Sequence, residues 1–158
     1  MTQINEATGL TIWGINPPVY DFAWFDLWAA PMGLLNYMGY LRDRGNRVHL
    51  LDAIYEGRCQ SLTYGRWKTR RQKIEKPAVF GDVARPYYRY GLSAEEMEAR
   101  LAAMPPPDLI LITSIMTYWY PGVYEAVRTV KKLFPKVPAV VGGVYATLCP
   151  DHALAGGG

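Results

Sequence analysis

From Leu109 to Thr113 the chain reads Leu-Ile-Leu-Ile-Thr, an unbroken apolar run set between Pro107-Asp108 and Ser114. A strand whose consecutive residues are all apolar has no face to give to water, so it belongs in a parallel sheet covered on both sides. Ala139 to Val141 repeats the pattern, entered through Pro138 and closed by Gly142-Gly143. Between the two runs, Pro121 suits the first position of a helix. Val123, Ala126, Val127, Val130 and Leu133 recur at helical spacing, while Arg128, Lys131 and Lys132 lie off that stripe. This is a strand, crossover helix, strand unit, whose strands run parallel and whose connection is right-handed. In open sheets of such units, ligands bind beyond the carboxyl ends of the strands, the edge at which Ser114 and Gly142 fall.

The N-terminal third supplies a second unit. Leu10 to Ile15 is apolar and β-prone, and Asn16-Pro17-Pro18 stops it, because proline cannot donate to a ladder and keeps its predecessor out of a helix. A helix starts near Pro31, with Leu34, Leu35, Met38 and Leu41 on one face and Gly45 as a left-handed stop. Val48 to Leu51 is the next strand and ends at Asp52. Ser93-Ala94-Glu95-Glu96 has the capping-box pattern, and Met97, Leu101 and Met104 follow at helical spacing. The order strand, helix, strand, insertion, helix, strand, helix, strand predicts an α/β doubly wound parallel sheet of the flavodoxin-like, Rossmann-type kind, with the first strand central.

The 158 residues, half of them apolar, suffice for one core and suggest a single domain over 1–158, with an insertion at about 53–92. Only four strands are recognisable where flavodoxin-like sheets usually have five, and Ala155-Gly156-Gly157-Gly158 stands about where the last would be approached. The expectation is the N-terminal part of a longer protein, or a truncated domain whose sheet edge another chain covers.

A net charge of +3 is mild, and the basic residues gather in Arg66, Lys68, Arg70, Arg71, Lys73 and Lys76. Such a run reads first as a solvated loop, with a phosphate, nucleic acid or neighbouring domain as the alternative; nucleic-acid binding is not expected as the main function. No apolar run approaches about 18 residues and no basic-then-apolar leader opens the chain, so neither a membrane span nor a secretory signal is expected. Cys59 and Cys149 form neither a metal-ligand cluster nor a disulfide framework, which points to a reducing cytoplasm.

Three segments, "NPPVYDFAWFDLW" after the first strand, "MTYWYPGV" (Met116 to Val123) and "GGVYATLCPDHA" (Gly142 to Ala153), with "RPYYRYGL" in the insertion, resemble the N-terminal cobalamin-binding domain of cobalamin-dependent radical S-adenosylmethionine proteins. The resemblance spans roughly residues 10 to 155. It implies cobalamin as the cofactor, a radical S-adenosylmethionine catalytic domain in cis or in trans as the partner, and methyl transfer or related radical chemistry as the parent reaction. In the broader cobalamin-binding fold a serine, followed a crossover later by paired glycines, lines the slot for the cofactor's nucleotide tail. Ser114, Met116, Gly142 and Gly143 stand in nearly that register. The same resemblance places Asn16, Pro17 and Pro18 after the first strand, Thr117 and Tyr118 after the third, and Tyr145 and Thr147 after the fourth around the cofactor.

The residue types suit that task. A tail base buried between sheet and helices needs a hydroxyl near its polar atoms and a place where backbone approaches without a side chain. The alternative is that Ser114 only caps the following turn and the glycines only turn the chain.

Cobalamin carriers of the methionine synthase type place an Asp-x-His-x-x-Gly loop after the first strand, and its histidine replaces the tail base on cobalt. This chain reads Asn16-Pro17-Pro18-Val19-Tyr20-Asp21 there, so the resemblance implies base-off cobalamin without a histidine ligand. His49 falls within a strand and is expected at an edge; His152 follows Cys149-Pro150-Asp151 at a helix start and is expected there rather than on a metal.

Aromatics crowd the same edge: Tyr20, Phe22, Trp24, Phe25 and Trp28 after the first strand, and Tyr118, Trp119 and Tyr120 after the third. They suit the broad face and amide rim of a corrin, and equally a domain interface. Asp52 ends the second strand where a nucleotide ribose could meet it, but no Gly-x-Gly-x-x-Gly precedes it, which argues against an NAD or FAD site.

Two isolated cysteines cannot supply the Cys-x-x-x-Cys-x-x-Cys triplet that holds a four-iron cluster. The chain is therefore not expected to be catalytic alone; iron-sulfur cluster and S-adenosylmethionine would sit in another domain. Against the cobalamin module stands a second expectation, a cofactor-free flavodoxin-like interaction or regulatory domain. A small-molecule or flavin enzyme lacks any catalytic constellation.

Overall fold

The structure is a computed structural model that describes residues 9–25, 27–60 and 67–156. Its centre is a parallel sheet of β1 (Thr11–Asn16), β3 (Arg47–Asp52), β8 (Leu109–Ser114) and β9 (Ala139–Gly143), in the order β3-β1-β8-β9. Helices flank it on both faces, so the arrangement is the expected α/β one, consistent with a flavodoxin-like doubly wound fold. The first strand is central, and His49 lies on the edge strand β3.

Alternation along the central strands divides the core in two. Ile12 and Leu111 face α1 (Met32–Arg42), where Leu34 and Met38 meet them. A Cβ on Gly14 would stand 2.0 Å from the Met38 Sδ, so α1 rests directly on β1 backbone. Trp13, Ile15, Ile110 and Ile112 face the other way, against Met97 and Leu101 of α3 (Ala94–Ala103) and Val123, Ala126, Val127 and Val130 of α4 (Tyr120–Leu133). Trp13 is wholly buried; its Nε1 donates to the Pro105 carbonyl at 2.9 Å and its ring meets Phe134 edge-on.

The helix signals hold in detail. Ser93 and Glu96 form the reciprocal capping box of α3, Pro121 sits in the first turn of α4, and Gly45 takes φ +83° after α1. The run 144–156 forms two short helices, α5 (Val144–Leu148) and α6 (Pro150–Gly156).

The insertion is more ordered than its composition suggests. After α2 (Ala53–Glu56), β4 (Arg58–Gln60) pairs with β5 (Trp67–Thr69); the rest of the basic run and the segment following it supply β6 (Arg71–Ile74) and β7 (Tyr87–Tyr90). The stretch after Pro18 is itself a strand, β2 (Val19–Asp21), and joins β7 to make the antiparallel sheet β2-β7-β6. One face of that sheet docks on α4 through ionised groups. Arg89 of β7 donates from Nε and Nη2 to Glu125 at 2.8 and 2.5 Å and also bonds the Leu92 carbonyl, while the Tyr20 hydroxyl donates to Glu125 at 2.6 Å. Arg89 and Glu125 are both buried, so each offsets the desolvation of the other. The pairing with Glu125 holds the Arg89 pKa up against burial, and burial followed by the Glu125 bond raises that of Tyr20.

Candidate functional site

The four parallel strands end at Asn16, Asp52, Ser114 and Gly143, and these ends are tied to the fold by their own bonds. The Asn16 Nδ2 donates to Asp52 at 2.9 Å, and the same Asp52 oxygen accepts from the Ile54 and Tyr55 amides, capping α2. Asp52 is thereby occupied by the protein's own donors. Pro17 and Pro18 are buried, and a Cβ on Gly122 would stand 1.8 Å from the Pro18 carbonyl, so this loop packs onto the start of α4. Between Asn16, Pro17, Pro18, Ser114 and Trp119 only about 10 Å³ stays open, room for about one water.

The glycine pair divides into two different residues. Gly143 has φ +94°, a region that disfavours side chains, and a Cβ there would meet the Ser114 carbonyl oxygen at 2.2 Å. Its need for glycine is structural. Gly142 has nothing within 4 Å of its absent Cβ, and neither does Gly33 on α1. Both line a cavity of about 260 Å³, bounded by Leu34, Tyr37, Leu111, Thr113 and Val140 and lying between α1 and the β8–β9 part of the sheet.

Parity along the strands decides which hydroxyl shares that cavity. Gly142 pairs with Thr113 and Gly143 with Ser114, and successive residues point to opposite faces. Thr113 lies on the cavity side; its hydroxyl hydrogen-bonds to none of the described residues. Ser114 is buried on the other face, where its hydroxyl donates to the Met116 carbonyl at 3.3 Å. The serine and glycine pattern in the sequence points to Ser114, with Thr113 counted within the apolar run.

Met116, Thr117 and Tyr118 form the turn into α4 at the carboxyl edge, with Met116 and Tyr118 exposed to 42% and 48%. Partial burial, then the Asp21 charge, raises the Tyr118 pKa. Tyr145 is held inward and Thr147 is exposed. Tyr145 is buried, with its hydroxyl 2.9 Å from that of Tyr124 and 2.6 Å from His152 Nδ1, and burial followed by the Tyr124 bond raises its pKa. The Thr147 hydroxyl donates to the Gly143 carbonyl within its own helix. His152 lies in the first turns of α6 with Nδ1 engaged by two tyrosines, and among the described residues no group of three histidine, cysteine or acidic side chains could hold a metal ion.

The aromatics also separate. Trp28 packs on Tyr90 and Trp119, and Trp119 donates to Asp21 at 2.8 Å. The Trp28 Nε1 is buried without an acceptor, which carries a desolvation cost of about 1–3 kcal/mol. Trp24, Phe25 and Leu27 instead stand out at 72%, 71% and 85% exposure.

No family model, curated protein or solved structure matches this chain.

Proposed function

We propose that this domain binds cobalamin and holds it for a radical S-adenosylmethionine catalytic domain, in cis or in trans, with methyl transfer as the reaction of the whole. One observation carries the reading. Gly33 and Gly142 have no packing reason to be glycine, and both open onto the same largely apolar cavity at the carboxyl end of β8 and β9. The flat fused-ring base of the cofactor's tail suits such a volume, and a Cβ at either position would enter it.

The roles of the chain's own groups follow. Gly33 and Gly142 leave room for the base, Leu34, Leu111 and Val140 supply apolar walls, and the Thr113 hydroxyl is free to meet a polar atom of the tail. Met116 and Tyr118, exposed at the strand ends, offer a thioether and a phenol to the corrin rim. Bound cobalamin supplies a cobalt centre that can carry a methyl group. No histidine follows β1, so bound cobalamin would be held base-off without a histidine from that loop.

The test is uptake. Purified protein is mixed with hydroxocobalamin, desalted, and its visible spectrum recorded; about one equivalent should remain, and Gly142→Leu or Gly33→Leu should each lose it while keeping the far-ultraviolet circular dichroism of the parent. A folded parent that retains no corrin would overturn the reading in favour of an interaction or regulatory domain, and a folded Gly142→Leu that retains it would overturn the tail slot.

A further inference from the structure

We propose that a second cavity, on the inserted sheet, binds a nucleotide, with an aromatic base against Trp24 and its phosphates held by Lys68, Arg71 and Arg85. The cavity measures about 480 Å³, within the usual range for small-ligand sites, and shares no lining residue with the Gly142 cavity. The inference therefore stands apart from the cobalamin reading.

Three cations converge on it from three chain segments: Lys68 from β5, Arg71 from the start of β6, and Arg85 from the loop before β7. The ion pairs among the described residues all involve other side chains. Asp21, which the strand register puts opposite Tyr88, is already taken up by the Phe22 amide and the Trp119 indole. Three like charges around one concavity repel each other, and an anion there relieves the repulsion while each cation gains a charge-assisted bond. Arg71 is already positioned. Its guanidinium lies 4.4 Å over the Tyr88 ring, so part of its side-chain freedom is already spent before binding.

The rest of the lining is largely aromatic. Phe22 and Trp24 line the same cavity, and Trp24 leaves 72% of its surface to solvent. An exposed indole beside a cluster of unpaired cations matches a ligand with a flat ring at one end and phosphates at the other, since ring stacking and phosphate binding are then satisfied together. An acidic peptide would meet the cations but leave the indole bare. A free phosphate would leave it bare as well.

The experiment titrates the full chain with ADP at low salt, following quenching of tryptophan fluorescence, with calorimetry for stoichiometry. One equivalent should bind saturably. Arg85→Ala, Lys68→Ala and Trp24→Ala, all at exposed positions, should each weaken binding by about tenfold or more, and adenosine and inorganic phosphate should each bind at least about tenfold more weakly than ADP. Saturating hydroxocobalamin should leave the affinity for ADP unchanged. The proposal is overturned if ADP shows no saturable binding, if adenosine matches ADP, if hydroxocobalamin competes, or if polyglutamate binds and ADP does not, which would make the face a dock for an acidic partner.

Discussion

A Cβ on Gly143 would lie 2.2 Å from the carbonyl oxygen of Ser114, its partner across the β8–β9 ladder. The two residues named together by the serine and glycine pattern are thus packed backbone to backbone, and the glycine with open space in place of a side chain is Gly142, beside Thr113.

That relationship predicts opposite outcomes for adjacent glycines. Gly143→Ala forces a side chain into a positive φ and onto backbone, and should cost more than about 2 kcal/mol. Gly142→Ala meets nothing within 4 Å and should change stability by less than about 1 kcal/mol. Urea unfolding of the two variants measures the difference.

The buried contact among Tyr20, Arg89 and Glu125 predicts a strong dependence on either charge. Glu125→Ala leaves the Arg89 guanidinium buried without its anion and should destabilise by about 3–5 kcal/mol. The double variant Arg89→Met with Glu125→Leu should lose much less than the sum of the two single losses, as a double-mutant cycle in urea would show.

Rising pH should destabilise the domain over the interval between the ordinary tyrosine pKa and the raised folded-state value. Burial pushes the Tyr87 pKa up to about 12 from 10.0, and burial with the Glu125 bond raises Tyr20 as well. A folded-state pKa above the unfolded one means that, past pH 10.0, the unfolded chain has released the proton that the folded chain keeps. The stabilisation is complete below about pH 10 and is lost as pH rises toward 12. The melting temperature should fall across that interval, and Tyr87→Phe should flatten the fall.

If cobalamin binds as proposed, its reduced cobalt(II) form should show no nitrogen hyperfine splitting from a lower ligand in electron spin resonance. His152→Ala should leave that spectrum unchanged, because no histidine stands in the loop after β1 from which a lower ligand would come. A nitrogen splitting that disappears in His152→Ala would assign the histidine to the metal instead.

Replacing the Thr113 hydroxyl tests which strand residue faces the tail. Thr113→Val keeps the shape and removes the donor, and should weaken cobalamin retention by about fivefold or more, whereas Ser114→Ala, which loses only a 3.3 Å bond to Met116, should leave it within about twofold. Equilibrium dialysis with hydroxocobalamin distinguishes the two.

The sequence by itself determined the layer architecture. Leu109 to Thr113 could only be a strand covered on both faces, and Ser93-Glu96, Pro121 and Gly45 marked helix ends, because those signals are local and act within about one turn of the chain. The antiparallel sheet of the insertion was not legible, since β2, β6 and β7 are only three or four residues long and exist through pairing, in part between segments distant in sequence. Nor was the Arg89–Glu125 contact, which spans 36 positions and is made by docking the inserted sheet on α4. The candidate site divides along the same line. That glycines and a hydroxyl meet at the ends of β8 and β9 was readable from periodicity; which glycine opens onto space, and whether Thr113 or Ser114 shares it, depended on strand register and on the placement of α1, and only tertiary packing decides those.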